Sequence, residues 1–492
     1  MSKLLMVGIG PLFEKGVRNF GAQCLRTWFF AEPLIRDGHD IRLFTLPIPD
    51  PSNPDAGEAK LTERVCEGFT HHAFSNMDMD FIRWKLTEAA KEFQPDAFFG
   101  INIVPAWVCA QLPLRVPLWA DLNGYEMAEK QGLAAHTGET ACLLDAWRRE
   151  ASVARRADKL STVSRPQLQA LLGEMALVGR LNQYTFHYHF AHHIPEAWHA
   201  AFAAVRRDTT CEPVLRGKRL PSDAFILLWS GGYNYWTDPE FLFAFLEKTL
   251  EANPRVHYVS TGGAIAGYNS QTYERFVALV EKSPRKDRYH LLGWIDAAEL
   301  PGIYAEADLG LNIDSPNYET LFGARNRVNN MMVAGLPVLT TLGSEISGMI
   351  AEAQCGIVCP PNDVDALARQ ALEMAGEPER LRELGKRARD FALEAFEPGR
   401  LTESARHWAR QPALAPDNAE KLRRFPQAES FRHTPLNYVE EIAAVAEDCD
   451  LLEARKAQIK MERLRARGWY KALKFAKTCV KGCLRPFGSA KK

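Results

Sequence analysis

Twice along this chain of 492 residues an apolar run ends in glycines, a helix-length segment follows, and another apolar run begins. No other feature constrains the fold as much. Residues 3–9 (KLLMVGI) form the first run; then come a loop with Gly10, Gly16 and Gly21, helical spacing over 22–36, and the run IRLFTL. Strand, glycine loop, helix and strand make a βαβ unit, which predicts a parallel sheet with right-handed crossovers. DAFFGINIV (96–104), VPLWADLNG (116–124) and ADKLSTVS (157–164) continue the pattern. A second cycle starts at AFILLWSGG (224–232) and runs through VHYVSTGG (256–263), YHLLGWI (289–295), ADLGLNID (307–314) and LPVLTT (336–341). After Glu397 the alternation stops and helical spacing broken by prolines takes over. The expected fold is α/β: two Rossmann-like, doubly wound parallel-sheet domains (1–205 and 206–400) and a C-terminal helical extension (401–492).

At roughly 150 residues per domain, this length predicts two or three domains. Hydrophobic residues are 46% and charged residues 25% of the chain, as in soluble globular proteins. No stretch approaches the roughly 18 consecutive apolar residues of a spanning helix. The start MSKLLMVGIG is too short and glycine-rich for a signal peptide, and the ten cysteines, Cys24 to Cys483, lack zinc-ribbon spacing. Both features predict a cytoplasmic protein. Net charge is −1, but ten basic residues and no acid follow Glu462, which leaves −11 on residues 1–462. In that tail Trp469, Leu473, Ala476, Val480, Leu484 and Phe487 share one helical stripe, and Lys471, Lys474, Lys477, Lys481 and Arg485 lie on the other side. A basic amphipathic helix with an aromatic anchor predicts peripheral attachment of residues 463–492 to an anionic membrane surface, here the inner face. Packing of the stripe on the protein's own body is the alternative.

Candidate site residues gather where strands end. Gly231 and Gly232, with Asn234 in the same loop, and Gly262 and Gly263 after the next strand, let bare backbone approach a diphosphate. Single glycine pairs also serve as turns; two pairs at corresponding strand ends favour ligand binding. Arg325 and Arg327 carry forked donors suited to phosphate, with a solvated helix start as the alternative, and Glu319 and Asn330 suit sugar or ribose hydroxyls, with loop and helix-cap roles as theirs. In the first half, WADLNGYEMAEKQG (119–132) puts Asp121 and Glu126 after a strand, where a carboxylate can act as general base; an Asx turn is the alternative for Asp121. Five histidines crowd 187–199, a segment whose one carboxylate, Glu196, makes a metal site the weaker reading. Asp78-Met79-Asp80 precedes FIRWKLTEAAKEF and predicts a helix cap rather than a metal-binding D-x-D.

The combination SGGYNYWTDPEFL, GWIDAAELPGIYAEADLGLNI, RVNNMMVAGLPVLTT and GIVCPPNDVDAL, over residues 224–375, resembles the GT-B glycosyltransferases of family 4 (group 1). That resemblance implies an enzyme, hexosyltransferase-like, moving sugar from a nucleoside diphosphate sugar to a glycan, lipid-linked or protein acceptor, with the donor on the second domain. It also implies that Gly10 and Gly16 belong to an acceptor-side loop. The sequence departs from the family pattern: the second carboxylate of Glu-x7-Glu is Asn330, eight residues upstream stands Phe322, and GGYNYWTD lacks the usual Arg and Lys. Arg325 and Arg327 are therefore expected to meet the diphosphate charge, with no metal or other cofactor. No nucleic-acid partner is expected. Two alternatives stay open: a sugar-nucleotide epimerase on the same fold, and a membrane-associated binding or scaffold protein without catalysis.

Overall fold

The computed structural model describes residues 1–18, 21–48, 57–113, 115–207, 213–265, 268–428, 434–446 and 461. The basic tail helix expected over 463–492 lies outside the described residues. The first sheet contains β1 (Lys3–Ile9), β2 (Asp40–Leu46), β3 (Leu61–Cys66), β4 (Phe69–Phe74), β5 (Ala97–Ile101), β6 (Leu118–Leu122), β7 (Lys159–Thr162) and β8 (Ala191–His193). Their spatial order is β3-β4-β2-β1-β5-β6-β7-β8, parallel except for the β3–β4 pair. The second sheet contains β9 (Phe225–Ser230), β10 (Val256–Thr261), β11 (Tyr289–Leu291), β12 (Leu309–Asn312), β13 (Val338–Thr341) and β14 (Ile357–Cys359), all parallel, in the order β11-β10-β9-β12-β13-β14. Two doubly wound sheets are thus present.

Parallel strands covered by helices on both faces read as unbroken apolar runs, and β5, β9 and β10 are buried along their whole length. The helices fit the same logic. Pro239–Ala252 starts with a proline in its first turn and the Asp238 carboxylate accepting from the Phe241 N–H at 2.9 Å. It buries Leu242, Phe245, Leu246 and Leu250 completely, each contributing about 1.5–3 kcal/mol. Asp78 caps Met79–Phe93 by accepting from the Asp80 and Phe81 N–H groups, as its position predicted. Residues 103 and 104, expected within the third strand run, instead open a helix, Ile103–Ala110.

The chain crosses between domains earlier than residue 205. Phe202, Val205, Leu215 and Leu220 already pack with Val328 and Met331 of the second domain. The segment from 401 is helical but is not an appendage: helices Glu403–Arg410 and Pro416–Arg424 return to the first domain. Trp408 lies 5.6 Å from the rings of both Phe99 and Trp119, and Arg406 Nε donates to Asp37 at 2.8 Å. Fully buried Asp417 pairs with fully buried Arg180, while Asn418 Nδ2 and the Ala415 N–H donate to Asp158 Oδ1 at 2.8 and 2.7 Å. Apolar burial carries the chain back: Ala405, Trp408, Ala409 and Ala415 complete the first domain's cores. No described helix is long and apolar enough to cross a membrane.

Candidate functional site

In each sheet the strand order reverses at one place, between β1 and β5 in the first and between β9 and β12 in the second. Open α/β sheets bind ligands beyond the carboxyl ends of strands at such points. Here the two ends are joined by contacts across the domains. The Gly16 N–H donates to Asp296 Oδ2 at 2.8 Å, and the Ala297 N–H to the Val17 carbonyl at 2.8 Å. Ser164 Oγ donates to the Phe322 carbonyl at 2.6 Å, the Arg165 N–H to Glu345 Oε2 at 2.7 Å, and Tyr125 meets Phe322 edge-on at 5.0 Å.

On the second domain the glycine pairs build a close backbone crossing. Gly231 adopts φ +96°, its N–H donates to the Thr261 carbonyl at 3.0 Å, and a side chain on Gly262 would run into the Gly231 backbone. The Gly231 N–H is thus committed to the protein and does not face a diphosphate, a correction to the sequence expectation. Gly263 likewise gives its carbonyl to the Tyr233 N–H at 3.2 Å. Gly232 packs closely on Ile265, and Asn234 lies beside them, half-buried.

The two arginines separate. Arg325 is 4% exposed and holds two carboxylates: Nε donates to Asp314 at 2.6 Å, and Nη1 and Nη2 to Glu319 at 3.0 and 2.8 Å. Burial alone would push its charge off, but Asp314 and Glu319 outweigh that and raise its pKa. Neither Arg325 nor Glu319 is therefore free for donor, which corrects both expectations. Asn330 is also spoken for. Its Oδ1 accepts from the His199 N–H at 2.8 Å and its Nδ2 donates to Asn326 Oδ1 at 2.8 Å, because the helix Asn326–Val333 packs on the interdomain crossing. Arg327 differs. Its guanidinium lies over the Trp229 ring at 4.6 Å, its Nη1 is buried without a hydrogen-bond partner, and burial lowers its pKa. Around the same strand ends, Trp229 Nε1, Trp236 Nε1, Thr237 Oγ1, Asn312 Oδ1 and Asp314 Oδ1 are also buried and unpartnered. Buried polar atoms of this kind suit a polar ligand.

On the first domain both expected bases are locked. Asp121 is 0% exposed; Arg26 Nε and Nη2 donate to its two oxygens at 2.9 and 2.8 Å, and Ser161 Oγ adds a third bond at 2.6 Å. A carboxylate filled this way has no oxygen facing an acceptor, so Asp121 holds Arg26 in place rather than accepting a proton. Glu126 is gripped by Arg149, whose Nε donates to both of its oxygens at 3.1 and 3.0 Å. Gly10 donates its N–H to the Leu46 carbonyl at 2.9 Å, which ties the loop's start to β2.

Sequence reasoning missed three groups here. Asn102, at the end of β5, takes φ +77° and ψ 157°, held by Asn123 Nδ2 (3.0 Å) and by its own Nδ2 on the Gln23 carbonyl (3.2 Å). Non-glycine strain of this kind clusters at functional sites. Glu196, in the histidine segment, is buried between Arg26 (3.7 Å) and Asn326 (3.3 Å), and burial pushes it up to about 7. It lines, with Arg325, Asn329 and Glu345, a cavity of about 20 Å³ at the crossing, room for about one water. Glu129, one turn beyond Glu126, reaches the other domain at Tyr268 (3.4 Å). The only sequence signal for Glu129 was its place in the segment 119–132. The histidines serve packing and joining: His192 stacks on Trp119, His199 lies 4.3 Å from the Phe13 ring, and His193 approaches Glu345 at 3.4 Å. Among the described residues no three His, Cys, Asp or Glu side chains are grouped to hold a metal ion.

Two Rossmann-like domains that meet across the carboxyl ends of their parallel strands form the GT-B fold. Residues 224–377 match the family model described as Glycosyl transferases group 1. Sucrose-phosphate synthase from Thermosynechococcus elongatus superposes with a TM-score of 0.60 at 16% identity, over 84% of this chain and 99% of that one. The Anabaena HepE protein in complex with UDP and glucose gives 0.57 at 13% identity, over 84% and 100%. Trehalose-6-phosphate synthase OtsA gives 0.59 at 13% identity, over 84% and 100%. At these identities the likeness is one of fold. No curated protein sequence matches it.

Proposed function

We propose that the protein transfers a sugar from a nucleoside diphosphate donor, held at the ends of β9 and β12 in the second domain, to an acceptor on the first. The observation that carries this reading is the buried, unpartnered Nη1 of Arg327 among five further orphaned polar atoms at the ends of β9 and β12. A diphosphate would fill that donor and recover the cost of leaving it unmet. Trp229 and Trp236 supply apolar area with indole N–H groups still to be satisfied. UDP and glucose in the HepE complex are consistent with a uridine donor. Arg327 meets the charge of the leaving group, so the reading includes no metal.

The basic stripe of residues 463–492 supports a second part of the proposal: the acceptor is met at an anionic membrane surface, as a lipid-linked or otherwise membrane-presented glycan. The test of function is a screen of nucleotide-sugars by thermal stabilisation, since a true donor raises the melting temperature by mass action, followed by transfer assays with the one that binds. Donor consumed only with acceptor supports a transferase. Donor interconverted alone makes the protein an epimerase, and binding without turnover makes it a scaffold.

A further inference from the structure

With Asp121 and Glu126 held by arginines, the helix Glu126–Thr137 brings a different carboxylate, Glu129, to the second domain. Glu129 follows the loop after β6, two strands from the point where the first sheet's order reverses. Its surroundings come from both domains. On its own helix it is flanked by Glu126 and Lys130, and the Lys130 ammonium is drawn off over the Tyr268 ring at 4.8 Å. From the second domain the Tyr268 hydroxyl reaches Oε2 at 3.4 Å, and Glu319 faces it with both oxygens occupied by Arg325. Beneath it Gly124, at φ +90°, leaves the room: a Cβ there would stand 2.8 Å from Glu129 Oε1. Unlike Asp121 and Glu126, Glu129 makes no ion pair among the described residues.

We infer that Glu129 is the catalytic carboxylate that takes the proton from the acceptor hydroxyl, with Tyr268 positioning it as the domains close. This rests on the glycosyl-transfer reading above. In the step, the acceptor O–H breaks and its proton goes to a Glu129 oxygen. The freed electron pair bonds to the anomeric carbon. The bond from that carbon to the diphosphate breaks, and its pair leaves with the nucleoside diphosphate facing Arg327. Glu129 then returns the proton to water. Burial, more than any other influence, pushes Glu129 up to about 7; Glu319 and Glu126 add to that while Lys130 and the Tyr268 hydroxyl oppose it. A group so placed exchanges protons at neutral pH.

The experiment uses the full chain and the donor found by screening. For wild type kcat/KM falls below about pH 7 with a slope of one proton, since the base must be ionised to work. Glu129→Gln is expected to lower kcat by about 10² to 10⁴, to lose that acid limb, and to bind donor by calorimetry as wild type does. Glu129→Asp restores part of the rate with the limb shifted, and Tyr268→Phe moves the limb without abolishing turnover. Wild-type kcat in Glu129→Gln, or a slowed variant that keeps the acid limb, overturns the inference. So does donor affinity lost in step with rate, which would make Glu129 a donor contact. A wild type that turns over no nucleotide-sugar overturns the parent reading, a result distinct from any of these.

Discussion

Arg325 and Arg327 stand two positions apart and meet opposite fates. Arg325 spends its five donors on Asp314, Glu319, Thr320 and a backbone carbonyl, whereas Arg327 leaves a buried nitrogen unmet. Arg327→Ala is therefore expected to weaken donor binding by about 1.5–3 kcal/mol, the worth of a charge-assisted bond, with little loss of stability. Arg325→Ala is expected to do the reverse, because Asp314 and Glu319 stay buried without their counter-charge. Donor titration by calorimetry beside urea unfolding of both variants checks the contrast; equal loss of affinity in the two would refute it. At this scale the sequence announced which residue types to watch and was silent on their pairings. Asp121 looked like a base because it follows a strand, and only the fold brings Arg26, 95 positions away, onto it. Glu129 and Asp121 are both carboxylates of the segment 119–132, and only their neighbours in the fold tell them apart.

The central strands were legible because a strand covered on both faces must be apolar throughout. β3 was not, since LTERVC is an exposed edge whose side chains are mostly solvated, and β8 and β14 are only three residues long. Nor did proline-broken helices after 401 reveal where they dock, because docking is set by partners such as Asp158 and Arg180 far upstream. The helix Pro416–Arg424 depends on that docking. Arg180 Nη1 also donates to the carbonyls of Ala154, Arg155 and Ala157 at 2.8–3.0 Å, so the guanidinium stays put when its carboxylate is lost. Asp417→Ala strands a buried cation, and a loss of about 3–5 kcal/mol is expected. The measurement is the urea midpoint of the transition in which the first domain unfolds; an unmoved midpoint would show that the pair adds nothing.

Across the whole molecule the two domains meet in a closed arrangement, through Gly16 with Asp296, Arg165 and His193 with Glu345, and Tyr268 with Glu129. The tail bears on where this body works. Truncation after Glu462 removes ten basic residues, and each cation near an anionic surface is worth about 1 kcal/mol. Co-sedimentation with vesicles containing anionic lipid is expected to retain the full chain at low salt and lose the truncated one. Equal sedimentation of the two would refute membrane attachment through the tail. Trp408, Ala409 and Ala415 fill the cores of the first domain, so a nascent chain that has emerged only to residue 400 holds every strand of both sheets and still lacks part of the first domain's interior. Domains usually mature in the order in which they are synthesised. Here the half that is made first is finished last, after the whole of the second sheet has been released.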